Sequence, residues 1–208
     1  MKKVFITTIP LQGKFDLDVV TYVPKDFRLT KNGETSFPII PIIAEHLEDM
    51  GEIEIIAIRM NNDDTARNYL KFLEEVESLG LEKECVKTLD MPEKQSPKTQ
   101  VAMMLKLIDK IPNHSVIHCC VTYGTKVVST VVTYAMMYIT KILSDVDVRG
   151  MYYGEIKRND GMLVESNLYD VTSLLAVGEI IEQLRGIEVN NIKGALKSMF
   201  EDVLGDIE

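Results

Sequence analysis

The sequence predicts an α/β protein with a Rossmann-like, mostly parallel central sheet, helices on both faces and antiparallel hairpin additions. Short runs rich in Val and Ile alternate with longer segments of helical periodicity over residues 53–143. This alternation favours right-handed βαβ crossovers and a sheet covered on both faces. Residues 115–138, SVIHCCVTYGTKVVSTVVTYAMMY, are the clearest unit, with a buried strand, a polar turn and an apolar helix. The tripeptide Asn159-Asp160-Gly161 is typical of a hairpin turn and predicts the antiparallel addition.

The N-terminal quarter is predicted to begin with a strand and then to become less regular. Residues 3–10, KVFITTIP, are rich in β-branched side chains, and the proline ends the strand. Turn-forming residues then separate short apolar runs, so a small hairpin or meander is expected within residues 19–30. Residues 37–50 have the spacing of a helix that ends before Gly51.

Three strand and helix pairs follow this glycine. The predicted strands span residues 53–59, 82–89 and 115–121, and the predicted helices span residues 65–79, 97–111 and 126–143. Asp64 is the expected N-cap of the first of these helices. Ser96, followed by Pro97 at the first helical position, is the expected start of the second.

The last part of the chain is predicted to hold two strands and two helices. The strands span residues 146–156 and 162–171, and the helices span residues 172–185 and 189–204, separated by Gly186. We expect residues 1–186 to form one Rossmann-fold domain and residues 187–208 to form a C-terminal helix.

The composition is that of an ordinary globular protein, with 208 residues of which 46% are hydrophobic and 26% are charged. Cys85, Cys119 and Cys120 lack CxxC spacing, which favours reduced core thiols of a cytoplasmic protein. Neither a secretory leader nor an apolar run of about 20 residues is present, so membrane spanning is not expected. A net charge of −9 disfavours binding of duplex nucleic acid.

Several common chemistries lack their sequence patterns here. No Walker A, GxGxxG or GxSxG motif occurs. His46, His114 and His118 do not have HxH or HxxxH spacing, so no metal is expected, and His118 is expected to be a hydrogen-bonded core residue. The acidic pair at residues 63–64 is expected on a solvated helix start. No cofactor is expected.

The turn at residues 122–126 carries residue types that bind phosphate. These residues are Thr122, Tyr123, Gly124, Thr125 and Lys126. A turn at the carboxyl end of a parallel strand presents the free N–H groups of a helix start, which favour an anion. Glycine allows close approach of the backbone, and lysine can meet a phosphate directly. The alternative is an ordinary βα turn with a threonine cap and a solvated lysine.

The loop after the first strand is the other polar segment expected at the same edge of the sheet. It spans residues 7–14, TTIPLQGK, and begins near Thr8. Gln12 could hydrogen-bond the edge of a base, and Lys14 could bind a phosphate. The equal alternative is a flexible solvent loop.

Four segments together resemble the CRISPR-associated Rossmann fold (CARF) family. They are VTYGTK at a strand end, the helix TVVTYAMMYI, the strand RGMYYGEI, and LYDVTSLL before a helix. In the relevant subfamily the strand end typically reads Asp-x-Thr-His-Gly-aromatic-Arg. An apolar helix, a Tyr-Gly strand and a Tyr/Val-Asp-Leu-Thr segment follow. The specific part of the match lies within residues 115–172, and elsewhere only the order of elements agrees.

The match is closest at the turn. Thr122 and Gly124 agree with the family pattern, Lys126 stands where arginine is common, and residues 153–154 and 170–172 agree with the later motifs. The departures are Cys120 for the acidic residue, Tyr123 for histidine and Thr125 for the aromatic residue.

The resemblance implies a homodimeric sensor of type III CRISPR immunity that binds cyclic oligoadenylate, a tetra- or hexa-adenylate ring, across the dimer axis. Tyr123 and the loop at residues 9–15 are candidates for stacking on adenine. No catalytic residue is assigned. The implied ligand contacts are Thr8, Gln12, Lys14, Thr122, Tyr123, Gly124, Thr125, Lys126 and Tyr153.

Three functions remain open at this stage. The first is a sensor that regulates a fused or associated effector domain, with the C-terminal helix at residues 187–208 as the connection to that domain or as a dimer element. The second is a metal-independent ring nuclease that uses the same pocket and aligns a ribose 2′-hydroxyl with the adjacent phosphate. The third is an unrelated Rossmann-like enzyme acting on a small molecule, which would need titratable groups in a pocket within one protomer.

Overall fold

We describe the fold from a computed structural model of the chain, which describes residues 1–11, 13, 16–91, 94, 96–185 and 191–204. The chain forms two compact units, Met1–Val171 and Thr172–Glu208. The first unit contains the sheet. The second contains two helices that pack against each other.

The described strands follow the predicted order along the chain. They are β1 (Lys2–Thr8), β2 (Val20–Thr21), β3 (Val23–Lys25), β4 (Glu34–Thr35), β5 (Ile53–Met60), β6 (Val86–Met91), β7 (Ser115–Cys120), β8 (Val146–Asn159) and β9 (Met162–Asp170). Within the described residues, seven of them form one sheet in the order β3-β9-β8-β7-β1-β5-β6. Strands β6, β5, β1, β7 and β8 are parallel, and β9 returns antiparallel to β8. The predicted α/β fold class is confirmed.

The helices of the first unit alternate with the parallel strands. They are α1 (Ile39–Glu45), α2 (Asp63–Ser78), α3 (Pro97–Lys110) and α4 (Lys126–Ile142), and the second unit holds α5 (Ser173–Arg185) and α6 (Ile192–Leu204). A short 3₁₀ helix, Lys83–Cys85, precedes β6. In the described part of the chain, no helix is both long and apolar enough to cross a membrane.

Two local predictions can be compared directly with the helix starts. Ser96 caps α3 with a reciprocal capping box that includes Thr99, as its sequence context predicts. The N-cap of α2 is Asn62, whose side chain accepts a hydrogen bond from the Thr65 N–H at 2.9 Å. Asp64 was therefore the wrong choice, because this helix begins at Asp63, two residues earlier than predicted, and places Asp64 in its first turn.

The region predicted as a hairpin or meander is divided between two sheets. Strand β2 pairs antiparallel with β4, so a small antiparallel addition is present. Strand β3 instead joins the edge of the main sheet and lies parallel to β9, with Val23 opposite Asn167. Its partner is more than 140 residues away in sequence, and no local signal indicates this pairing.

Helices cover both faces of the sheet. Tyr152 and Cys120 belong to one apolar cluster together with residues of α1 and α2. Met151 points to the opposite face, where its sulfur lies 4.0 Å from the Thr133 hydroxyl of α4. Helix α4 packs beside α3 and buries a row of apolar residues. Full burial of a large apolar side chain stabilises a fold by roughly 1.5–3 kcal/mol.

The strand order creates a switch point beside β1. From β1 the chain proceeds through β5 and β6 to one edge, whereas β7 and β8 lie on its other side. In open α/β sheets the loops at such a point diverge to opposite faces and leave a crevice outside the carboxyl ends of the strands. The strand order therefore predicts such a crevice between the loop after β1 and the turn after β7.

Two buried cysteines precede that turn. All three cysteines of the chain are free, and Cys119 and Cys120 are buried in β7. Burial raises the pKa of both of these thiols, so they are protonated at neutral pH. Neither provides a thiolate nucleophile.

His118 is a core residue, as expected. Its ring stacks on Phe5 with centroids 5.3 Å apart and lies 4.3 Å from the ring of His46. Its Nδ1 is 3.4 Å from the Tyr152 hydroxyl. Burial, together with the nearby His46, lowers the pKa of His118 to about 3.

This burial predicts a specific loss of stability in acid. The unfolded chain binds a proton at His118 with a pKa near 6.5, whereas the folded protein does not, so the free energy of unfolding falls as pH drops below about 6.5. Between pH 7 and pH 5, the free energy of unfolding should fall by about 2 kcal/mol less in His118→Phe than in the wild type. Urea unfolding at both pH values measures this difference. Val101→Ala, an exposed substitution on α3 that changes no titratable group, should keep the wild-type loss, and equal losses in all three proteins would contradict the assignment.

Candidate functional site

The candidate site is the crevice at the carboxyl ends of β1 and β7. Its floor is the turn at residues 122–126, which follows β7 and ends at Lys126, the first residue of α4. The Thr8 hydroxyl, at the end of β1, donates a hydrogen bond to the Tyr123 carbonyl oxygen at 2.5 Å. This bond crosses the switch point and ties the turn to the neighbouring strand.

Gly124 adopts a conformation that requires glycine. Its φ is +92°, in the left-handed region that L side chains rarely adopt. A Cβ at this position would lie 3.4 Å from the Thr8 Cβ and 3.6 Å from a Val128 methyl group, so space is adequate and the backbone angle is the constraint. This conformation allows the chain to leave β7 and enter α4 within five residues.

The two threonine hydroxyl groups of the turn bind within the protein. The Thr122 hydroxyl oxygen accepts a hydrogen bond from the Gly154 N–H of β8 at 2.7 Å and lies 3.1 Å from the Cys120 sulfur. Thr125 is the N-cap of α4, and its hydroxyl oxygen accepts from the Val128 N–H at 3.3 Å. Both side chains therefore hold the shape of the turn.

The Tyr123 side chain points into the protein. Its hydroxyl donates to the Ser36 carbonyl oxygen at 2.7 Å and lies 3.4 Å from the Tyr22 hydroxyl. The ring meets Phe37 edge to face. Burial raises the pKa of Tyr123 far above its usual value, so the hydroxyl stays protonated. The ring packs on the core, and this placement corrects the expectation that it stacks on adenine.

Lys126 is the exposed cation of the turn. It is the first residue of α4, a helix of 17 residues, and its side chain lies in solvent. Within the described part of the chain, its ammonium group has no carboxylate partner. A helix of this length carries about half a positive charge at its N-terminus, to which Lys126 adds a full charge.

The loop after β1 forms the other side of the crevice. Thr8 is 1% exposed, so it positions the turn and has no surface for a ligand, contrary to its predicted role as a contact. The loop is held against α2, where the Asn68 amide donates to the Pro10 carbonyl at 2.9 Å and the Arg67 guanidinium donates to the Gly13 carbonyl at 2.8 Å. Gln12 and Lys14 lie outside the described residues.

Tyr153 lies next to the turn on β8. The Val121 N–H donates to the Tyr152 carbonyl at 3.0 Å, and the Gly154 N–H donates to Thr122. Tyr153 lies between these two hydrogen bonds, with 41% of its surface exposed. Its ring lies beside that of Tyr169 on β9.

The structure separates the predicted contacts into three groups. The first group has exposed or accessible atoms at the crevice and consists of Gly124, Lys126 and Tyr153. Four residues form hydrogen bonds within the protein and shape the turn, and two lie outside the described residues. The four shaping residues are Thr8, Thr122, Tyr123 and Thr125. Sequence reasoning missed Ser36 and Tyr22 because they are 87 and 101 residues from Tyr123.

The chemistry available at this crevice is anion binding. In the part of the chain that the structure describes, no group of three or more His, Cys, Asp or Glu side chains could hold a metal ion. The turn itself contains no histidine and no carboxylate. It offers backbone N–H groups, a helix start and one ammonium group, which together suit a phosphate.

The chain was also compared with known proteins. No protein-family model matches it, and no curated protein matches it.

Gly124→Ala should destabilise the protein by about 1 kcal/mol, because alanine in the left-handed region is strained. Gly33→Ala is the matched control, since Gly33 has no positive φ and no atom would lie within 4 Å of the added Cβ. Chemical unfolding of the three proteins gives the comparison. If Gly124→Ala is as stable as Gly33→Ala, the backbone assignment at the turn is wrong.

Tyr123→Phe keeps the ring but removes the donor to the Ser36 carbonyl, which lies in a fully buried residue. Leaving a buried acceptor unsatisfied costs about 1–3 kcal/mol, so the free energy of unfolding should fall by that amount. Tyr134→Phe, at an exposed position on α4, should change it by less than about 0.5 kcal/mol. A fall no larger than that of the Tyr134 variant would show that the buried hydrogen bond does not contribute.

Proposed function

We propose that the protein binds a cyclic oligoadenylate, tetra- or hexa-adenylate, at the turn of residues 122–126. In this proposal it acts in the cytoplasm as the sensor domain of a type III CRISPR ancillary effector. The observation that carries the proposal is the exposed Lys126 at the start of α4, without a carboxylate partner among the described residues. The resemblance of this turn to the CARF pattern supplies the ligand class.

The electrostatics of the turn favour a compact anion. Anions at a helix N-terminus gain about 0.3–1 kcal/mol at exposed sites, and Lys126 adds a direct charge contact. A net charge of −9 opposes long-range attraction of a polyanion. A small ring of phosphates that meets only the locally positive turn fits this charge distribution better than a duplex does.

A homodimer fits a ligand of repeated units. In a two-fold dimer each protomer presents the same surface, so two copies of the turn would meet equivalent nucleotides of one ring. Each copy would contribute one helix start and one lysine. A fused or associated effector domain would then respond to the occupied dimer.

Isothermal titration with cyclic tetra-adenylate and cyclic hexa-adenylate tests the proposal, followed by chromatography of the recovered ligand. Binding of one intact ring per dimer would support the sensor. Recovery of linear products ending in a 2′,3′-cyclic phosphate would make the protein a ring nuclease. In that reaction the 2′-oxygen attacks phosphorus and the bond to the 5′-oxygen breaks, leaving a 5′-hydroxyl. Absence of binding to both rings would overturn the proposal and favour an unrelated small-molecule enzyme.

Lys126→Ala should weaken binding of the ring at least tenfold, because the phosphate loses its cation, while the unfolding midpoint changes little. Lys126→Arg should retain most of the affinity. Lys98→Ala is the matched control, since Lys98 is an exposed lysine in the first turn of α3. Titration of the four proteins at one salt concentration compares them. Equal affinities of the wild type and Lys126→Ala would place the ligand elsewhere.

A further inference from the structure

A pair of tyrosines lies on the antiparallel ribbon of β8 and β9. Tyr153 and Tyr169 stand directly opposite each other in the strand register. Their rings are inclined by only 22°, with centroids 6.5 Å apart. Tyr153 exposes 41% of its surface. An aromatic ring that is held in place by a neighbouring ring and is exposed to solvent can stack on another planar ring.

This pair is adjacent to the phosphate-binding turn. Tyr152 lies opposite Cys120, the last residue of β7, so Tyr153 extends just beyond the end of that strand. It shares a face of the sheet with Met151, which contacts Thr133 of α4. The tyrosine therefore lies on the α4 side of the sheet, at the edge where α4 begins.

Polar contacts fix the second ring of the pair. The Tyr169 hydroxyl donates to a Glu155 carboxylate oxygen at 3.0 Å, and this hydrogen bond raises the pKa of Tyr169. The Lys157 ammonium lies between two carboxylates, 3.6 Å from Glu155 and 3.2 Å from Glu165. Because Lys157 is already paired with these carboxylates, the ribbon beside the tyrosines suits an uncharged base better than a phosphate.

We infer that Tyr153, supported by Tyr169, is the platform on which an adenine base of the ligand stacks while an adjacent phosphate lies at Lys126. This inference rests on the proposed function and adds the base-binding residues to it. Stacking of a base on an aromatic side chain does not depend on hydrogen bonds to the base edge. It also supplies an exposed aromatic surface, whereas the Tyr123 ring packs against the core and its hydroxyl is bound to the Ser36 carbonyl.

The test separates base contacts from phosphate contacts. Cyclic tetra-adenylate and inorganic tripolyphosphate are titrated into the wild type, Tyr153→Leu and Tyr153→Phe, with Lys126→Ala as reference. Tyr138→Leu is the matched control, an exposed tyrosine 12 residues, or about 18 Å, along α4 from Lys126. Tyr153→Leu should weaken binding of the ring by about 5- to 100-fold. Tyr153→Phe and Tyr138→Leu should bind the ring like the wild type.

Binding of tripolyphosphate should fall in Lys126→Ala and stay unchanged in Tyr153→Leu. If Tyr153→Leu binds the ring like the wild type while Lys126→Ala does not, the platform is wrong and the proposed function stands. Equal losses of ring and tripolyphosphate in Tyr153→Leu would show a change in the turn and overturn the platform. Failure of the wild type to bind either cyclic tetra-adenylate or cyclic hexa-adenylate would overturn both the platform and the proposed function.

Discussion

The hydrogen bond from the Thr8 hydroxyl to the Tyr123 carbonyl is the constraint on which the candidate site depends. It joins the end of β1 to the turn after β7 at the switch point, where the strand order of the described sheet reverses. A second bond, from the Gly154 N–H to Thr122, holds the turn to β8 on the other side. With both neighbours attached, the position of the helix start relative to the three strands is set, and so is the position of Lys126.

The residues of the turn have two roles: some hold the turn in place, and others face the crevice. Thr122, Tyr123 and Thr125 bind inward to β8, to the segment before α1 and to the start of α4, respectively. Gly124 and Lys126 are left to face the crevice. A site whose donors are already fixed does not have to order them when an anion arrives, so less binding energy is lost to conformational entropy. The same inward contacts explain why most polar side chains of the turn are unavailable to a ligand.

The sequence predicts the elements of this fold well and their distant partners poorly. Hydrophobic periodicity and local caps are properties of neighbouring residues, which is why the strand at β7, the helix α4 and the cap at Ser96 could be located. The pairing of β3 with β9 and the bond from Tyr123 to Ser36 join residues far apart in the chain. Tyrosine is a residue type that often contacts ligands, and only the tertiary structure shows that the Tyr123 ring packs against the core. For the same reason, Tyr169 could not be recognised as the neighbour of Tyr153.

The most direct measurement of the central claim is the change in backbone amide chemical shifts when cyclic tetra-adenylate is added to ¹⁵N-labelled protein. If the turn is the phosphate-binding element, the largest changes fall on the amides of residues 124–128 and on Tyr153. The amides at the start of α3 then change little, although that helix has a comparable N-terminus at the same edge of the sheet. Saturable binding with its largest changes at α3, or spread over the surface without a maximum at the turn, would contradict the account.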